Sequence, residues 1–333
     1  MAGNGKRSCG SPFDTNPMAS LSVVKGGSRS PRGVFARSEL IATARALRGL
    51  NRMVARCLLL AVCLVAPYAV ASDARPVTTG SQYEVVFTDY SALSSSSELL
   101  HRLLSPLNAM RVRQALTQSG RRLREQPIDL RQERFAVYVP PGDAPASGYA
   151  LLVFVPPWPQ ATVSENFIRA LNRHRMIFVT AAHSGNDSNV MDRRIPLALL
   201  AEQNIVRRYR VDPRRVFVGG LSGGSRVALR IALAYPDVFH GALLNAGSDP
   251  IGDAQMSVPP VDLFRRFQQA TRLVYLTGGR DQFNLDADAL SRRSLQHWCV
   301  FDVANESKTM PWAGHQLADP VALDAALAAL EKP

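Results

Sequence analysis

The chain has 333 residues, of which 46% are hydrophobic and 20% are charged, as is ordinary for a globular protein. Its net charge of +12 would suggest a nucleic-acid partner, but residues 1–71 hold ten basic residues against two acidic ones. Only about a third of the net charge therefore belongs to residues 72–333, where scattered arginine pairs are typical of a solvated surface. We exclude nucleic acid as the partner on this ground.

Residues 53–71 have the pattern of a secretory signal peptide. A basic stretch over 53–56 precedes an apolar run over 57–66, and the small residues of 69–71 form a cleavage site. The apolar run is too short to span a bilayer, which takes roughly 20 residues. We therefore predict a periplasmic or secreted protein with no stable membrane anchor after cleavage.

Two further segments precede the main domain. Residues 1–52 are rich in Gly, Ser and Arg and lie upstream of a complete signal peptide, so we expect a non-native or disordered leader and translation from Met53. Residues 72–130 give mixed signals, with a candidate strand at 83–87 and apolar residues at helical spacing over 99–116. We interpret 72–130 as an N-terminal extension that packs on the main domain.

From residue 131 onwards, strand and helix patterns alternate. The predicted strands are 133–140, 149–155, 176–182, 216–219, 241–245, 272–277 and 300–303. The predicted helices are 164–174, 195–209, the helix that follows residue 224, 261–270, 287–297 and 320–331. Such alternation predicts an α/β domain over 131–333 that has a mostly parallel sheet with helices on both faces. In such sheets the functional residues lie at the carboxyl ends of the strands.

A glycine-rich turn between a strand and a helix carries the most informative motif. The segment 220–224 reads Gly-Leu-Ser-Gly-Gly, and its serine, Ser222, stands in the Gly-x-Ser-x-Gly pattern of a nucleophile elbow. Chance would supply the bare pattern in about one chain of ten, so the strand before it and the helix after it are what favour a nucleophile. Ser225 lies inside that helix, and we interpret it as a packing or capping residue.

A serine nucleophile needs a base and an acid that orients the base. Asp281 follows the strand 272–277, and His315 lies in a loop before the last helix, so the order is serine, acid, histidine, as in α/β-hydrolases. The competing acids are Asp249, Asp286 and Asp288. The other histidines are His101, His174, His183, His240 and His297, and none of them completes this order.

An oxyanion hole needs backbone N–H groups, one of them from the residue after the nucleophile, here Gly223. The second donor should lie in the loop 156–160, where three of five residues are prolines without an N–H. Trp158 or Gln160 must therefore serve. We favour Trp158, whose side chain could also wall the acyl pocket or simply pack the loop.

Several stretches together resemble secreted esterases of the polyhydroxybutyrate depolymerase and feruloyl esterase type. They are the segment 211–224 with its continuation 235–239, the strand 135–141 that ends in Val-Pro-Pro, and the Gly-His turn 314–315. The resemblance covers about residues 130–333. It implies an α/β-hydrolase fold and cleavage of carboxylic esters by Ser222, Asp281 and His315. The family usually carries His-Gly where this chain has Pro156-Pro157.

These observations favour a serine esterase that works through an acyl-enzyme on a small or oligomeric ester and needs no cofactor or metal. The Pro-Pro loop keeps open a second hypothesis, a non-catalytic hydrolase-fold protein that binds a ligand in the same pocket. An acyltransferase or a serine peptidase is a third, because fold and triad do not determine the acceptor.

Overall fold

The computed structural model describes residues 78–332, and within this range the strands form one sheet. They are β1 (Gly80–Val85), β2 (Phe135–Val139), β3 (Tyr149–Val155), β4 (Met176–Ala181), β5 (Val211–Leu221), β6 (Gly241–Asn245), β7 (Arg272–Leu276) and β8 (Val303–Asn305). Their spatial order is β1-β2-β4-β3-β5-β6-β7-β8. Strand β2 is antiparallel to both of its neighbours, and every other pairing is parallel. This topology is an α/β-hydrolase fold, which confirms the prediction from the sequence.

Helices cover both faces of the sheet, as predicted. They are α1 (Ser96–Leu103), α2 (Pro106–Gln118), α3 (Glu165–Arg173), α4 (Ile195–Arg208), α5 (Gly223–Ala234), α6 (Val261–Ala270), α7 (Gln282–His297) and α8 (Pro320–Leu330). Helices α4 and α5 pack into one hydrophobic cluster, and α3 and α8 pack into a second cluster on the opposite face. All residues of β3 and β4 are buried, as expected for strands that are covered on both sides.

Most predicted elements agree with the structure, and the differences lie at their boundaries, as at β5, which begins at Val211 and not at residue 216. Helix α7 begins at Gln282, five residues before the predicted start, because the Asp281 carboxylate accepts a bond from the Asn284 N–H and caps the helix. Strand β8 begins later than predicted, because the Val300 N–H donates to Leu295 O at 2.9 Å and still belongs to the end of α7. Strand β1, from the segment interpreted as an extension, pairs with β2 at the edge of the main sheet.

Two predicted segments, the leader 1–52 and the signal peptide 53–71, lie outside the described residues. Among residues 78–332, no helix is long and apolar enough to cross a membrane.

Candidate active site

Ser222 lies at the sharp turn between β5 and α5. Its backbone has φ 57° and ψ −122°, a conformation that non-glycine residues adopt rarely and at a cost of about 1–3 kcal/mol. The turn is tight because α5 starts directly against β3: a Cβ at Gly224 would overlap Val155 O. The Ser222 N–H donates to Asn245 O at 2.9 Å, which holds the turn against the end of β6. The strained serine predicted by the motif is thus present at the carboxyl edge of the sheet.

Asp281 and His315, which are 34 residues apart, meet beside the end of β7. His315 Nδ1 lies 2.7 Å from Asp281 Oδ2, and the Asp281 side chain is 7% exposed against 45% for His315. A carboxylate only accepts hydrogen bonds, so His315 Nδ1 carries the proton in the neutral ring and Nε2 has a free lone pair. Among the described residues, Nε2 has no hydrogen-bond partner, which leaves it open to a substrate or to a hydroxyl.

Two residues that the sequence did not single out hold the Asp281 carboxylate. Asn284 Nδ2 lies 3.0 Å from Asp281 Oδ1 and 2.9 Å from Oδ2, and Arg226 Nη2 donates to Asn284 Oδ1 at 3.2 Å. The bond from Arg226 determines the amide orientation that presents Nδ2 to the carboxylate. Asn284 Nδ2 also lies 3.1 Å from His315 Nδ1, but both atoms are donors in this tautomer, so that contact is not a hydrogen bond. Arg226 in turn pairs with Asp249.

The competing acids have other partners. Asp249 pairs with two arginines, Asp286 accepts from Gln282, and Asp288 accepts hydroxyl bonds from Ser248 and Thr277. Burial raises the pKa of Asp288, although the two hydroxyls act against it. Asp281 is therefore the acid, among those weighed from the sequence, that contacts a histidine.

Among the described residues, Ser225, His174 and His240 form no hydrogen bond with Asp281 or His315. Ser225 is fully buried, and its hydroxyl donates to Gly247 O, in agreement with a packing role. His174 lies between two carboxylates at the opposite edge of the sheet. Burial lowers the pKa of His240, although a backbone hydrogen bond with Val238 acts against it.

Asn245, another residue that the sequence analysis missed, joins the elbow to the histidine loop. It is 1% exposed and ends β6. Its backbone carbonyl accepts from the Ser222 N–H. Its side-chain Nδ2 donates to Leu276 O at 2.9 Å and to Gln316 O at 3.3 Å. Its Oδ1 accepts from the Ala318 N–H at 2.9 Å. Asn245 thus connects the serine turn, which its backbone carbonyl binds, with Gln316, the residue after His315, which its side chain binds.

Of the two predicted oxyanion donors, Gly223 belongs to the elbow itself and Trp158 lies in the loop after β3. Neither the Trp158 N–H nor the Gly223 N–H has an acceptor among the described residues, so both can donate to a ligand. The loop before Trp158 is held by Arg194, which donates to Pro156 O and to Ser184 O at 2.9 Å each. Arg194 is 3% exposed, and burial lowers the pKa of its guanidinium to about 10. A buried cation thereby fixes the proline loop in one conformation.

Within residues 78–332, Ser222 Oγ and His315 form no hydrogen bond, although catalytic bonds are often long before a substrate is bound. The same residues contain no cluster of three or more His, Cys, Asp or Glu side chains that could hold a metal ion.

The family described as esterase PHB depolymerase matches residues 181–282 of this chain. The matched range includes Ser222 and Asp281, and it begins after Trp158 and ends before His315. The match confirms the resemblance predicted from the sequence and supports ester hydrolysis by an α/β-hydrolase. No curated protein matches the chain.

Solved structures with similar folds include several esterases. A ferulic acid esterase has 15% identity and a TM-score of 0.43, over 60% of this chain and 92% of that one. A hyperthermophilic esterase from the archaeon Pyrobaculum calidifontis has 13% identity and a TM-score of 0.42, over 68% and 98%. A thermostable esterase has 14% identity and a TM-score of 0.39, over 60% of this chain and 56% of that one. Similarities this low do not assign a function to this chain.

Proposed function

We propose that this protein is a serine esterase in which Ser222 attacks the ester, His315 transfers protons and Asp281 orients His315. The observation that supports this most is the 2.7 Å contact between Asp281 and His315, which leaves His315 Nε2 open at the sheet edge that carries a strained serine. A serine hydroxyl is a poor nucleophile at neutral pH and needs such a base.

The proposed reaction has two halves. Ser222 Oγ bonds to the carbonyl carbon as its proton passes to His315 Nε2, and the negative charge on the carbonyl oxygen accepts bonds from the Gly223 and Trp158 N–H groups. The intermediate collapses, the alcohol leaves with the proton from His315, and an acyl-enzyme remains. Water then repeats the sequence, with His315 as the base, and releases the acid and the free Ser222 hydroxyl.

Substrate class and location are part of the proposal. The site requires an ester carbonyl that can reach Ser222, which fits a small or oligomeric ester. The signal-peptide pattern at residues 53–71 favours a periplasmic or secreted enzyme. N-terminal sequencing of the exported protein checks this, because a mature end well before Met53 would contradict it.

The test compares the full chain with its Ser222→Ala variant on short-chain p-nitrophenyl esters and with a fluorophosphonate probe. We expect labelling and turnover of the wild type, and a loss on the order of 10³-fold or more in the variant. Ser147→Ala, which removes an exposed hydroxyl in the turn before β3, is the matched control and should behave as the wild type. Equal labelling of Ser222→Ala would remove this serine from the mechanism.

Two alternatives are distinguished by the same experiment. A ligand-binding protein without catalysis would give no turnover on any ester. An acyltransferase or a peptidase would label at Ser222 but would prefer an added acceptor alcohol over water, or an amide over an ester.

A further inference from the structure

The side chain of Asn186 lies beside Gly223, and its backbone lies beside the loop that carries Trp158. Its backbone N–H donates to Pro157 O at 3.0 Å, which places the residue beside the loop that carries Trp158. Its side chain approaches the α-carbon of Gly223: a Cβ built there would overlap Asn186 Oδ1 and lie 2.9 Å from Cγ and 3.3 Å from Nδ2. The Asn186 amide thus occupies the space that a side chain at position 223 would take.

This amide has no partner in the described part of the protein. Asn186 is exposed, and its side chain makes no hydrogen bond among residues 78–332. Nearby polar side chains do have partners. Asn189 caps the following helical turn, and Ser188 and Arg193 both donate to His183 O. An asparagine amide has two N–H donors, and it can turn to present either its oxygen or its nitrogen.

The backbone that carries Asn186 is held in place. The His183 N–H donates to Pro159 O at 2.6 Å, and the buried Arg194 bonds both Ser184 O and Pro156 O. The segment 183–186 and the proline loop therefore form one rigid unit around Trp158. A donor on such a unit needs little rearrangement when charge develops in the transition state.

We propose that Asn186 is a further catalytic residue, whose side-chain N–H donates to the oxyanion together with the Gly223 and Trp158 N–H groups. This rests on the proposed esterase function, because the oxyanion exists only if Ser222 attacks a carbonyl. Gly223 then has a second purpose: its missing Cβ makes room for the amide. The third donor supplements a loop in which two adjacent prolines provide no N–H groups.

The first test compares Asn186→Ala and Asn186→Asp with the wild-type full chain on a p-nitrophenyl ester. We expect kcat to fall about 10²-fold in Asn186→Ala with little change in KM, because the bond forms only in the transition state. The carboxylate of Asn186→Asp has no N–H to donate and repels the oxyanion, so its loss should be at least as large. Gln114→Ala removes an exposed amide from α2 and serves as the control, with activity unchanged.

A second measurement separates catalysis from structure. An alkylboronic acid, which forms a tetrahedral adduct with an active serine, should bind Asn186→Ala more weakly by about the factor lost in kcat. Gly223→Ala should displace the Asn186 side chain, so its cost in kcat should be much smaller in the Asn186→Ala background than in the wild type.

Three results would overturn the inference. They are an unchanged kcat in Asn186→Ala while turnover still depends on Ser222, a rise in KM alone, and additive effects of Gly223→Ala and Asn186→Ala. Failure of the proposed function looks different, because the wild type itself would then hydrolyse no ester and Ser222→Ala would change nothing.

Discussion

Two histidines with carboxylate partners lie at opposite ends of the parallel strands and differ in how many of their ring nitrogens are engaged. His315, at the carboxyl edge, has one carboxylate on Nδ1 and an open Nε2, and its side chain is 45% exposed. His174, before β4 at the other edge, has Glu331 on Nδ1 at 2.8 Å and Asp324 on Nε2 at 3.2 Å, and is 10% exposed. Both nitrogens of His174 are thus engaged, whereas one nitrogen of His315 is available for chemistry.

The difference shows that the number of engaged ring nitrogens, more than the presence of a carboxylate, distinguishes the two sites. Burial lowers the pKa of His174, but the hydrogen bond and charge of Glu331, together with Asp324, outweigh burial and raise that pKa above 6.5. A histidine kept charged by two carboxylates is a poor general base and a good ion-pair partner. We therefore assign His174 to the stability of the fold and His315 to the proposed catalysis.

The largest expected effect is on His315. His315→Ala should lower kcat about 10³-fold or more, because the proposed mechanism depends on Nε2 as the base. Its free energy of unfolding should stay close to that of the wild type, because the side chain is half-exposed. Ester turnover and thermal unfolding of the same preparation check both statements, and a variant that loses stability but keeps its turnover would reverse the comparison.

A smaller loss is expected when the support of Asp281 is removed. Asn284→Ala deletes both side-chain bonds to the carboxylate and leaves only the longer bond from the Asn284 N–H. The carboxylate can then turn away from His315, and a misplacement of about 1 Å can cost roughly 10²-fold in rate. We expect kcat to fall about 30- to 100-fold with KM unchanged.

The control for that variant is Arg226→Ala, which leaves the bonds from Asn284 to Asp281 but frees its amide to turn. It should lose less activity, and the double variant should lose no more than Asn284→Ala alone. Independent, additive losses would mean that Arg226 acts elsewhere.

Much of this site could be predicted from the sequence because patterns within short stretches of chain indicate it. The alternation of apolar segments predicted the parallel sheet, and the glycines around Ser222 predicted the elbow. Asp281 and His315 could be selected because each comes after the end of a predicted strand and both follow the serine in the chain. Each of these signals is a spacing within a short stretch of chain.

The supporting residues could not be predicted in this way, because their contacts join distant segments. Asn284 lies before the predicted helix 287–297, and only the structure shows that Asp281 caps α7 and brings Asn284 against its carboxylate. Asn186 contacts Gly223 only because two loops meet at the sheet edge. One signal was available: Gly223, the first glycine of Ser-Gly-Gly, removes a side chain next to the nucleophile, which indicates that another group approaches there.

The stability effect of His174 should depend on pH in a defined direction. Because its pKa is raised in the folded protein, the contribution of His174 to the free energy of unfolding is fully present below about pH 6.5. This contribution is lost as the pH rises through the raised pKa of the folded protein. Glu331 has a lowered pKa, so its contribution is present above about pH 4.5 and is lost as the pH falls. His174→Gln should cost about 1–2 kcal/mol at pH 6 and less at pH 9, with kcat unchanged.

Urea unfolding at several pH values measures this effect. The ion pair of Arg173 with Asp324 is the reference, because Arg173 is 72% exposed and does not titrate in this range. Arg173→Ala should therefore cost little and should not depend on pH between 6 and 9. Equal losses for His174→Gln at both pH values would show that packing, and not charge, connects α3 to α8.

The smallest expected effect belongs to Glu202, a titratable group that has no hydrogen-bond or ion-pair partner among residues 78–332. Burial in α4 raises the pKa of Glu202 from 4.5 to about 7, and no opposite charge compensates it. Folding therefore favours the protonated acid, so the protein loses stability as the pH rises from about 4.5 to 7. Glu202→Gln removes this penalty and should raise the free energy of unfolding by about 1 kcal/mol at pH 8, with no gain at pH 4. Glu331→Gln should do the opposite at pH 8, because Glu331 has the partners that Glu202 lacks.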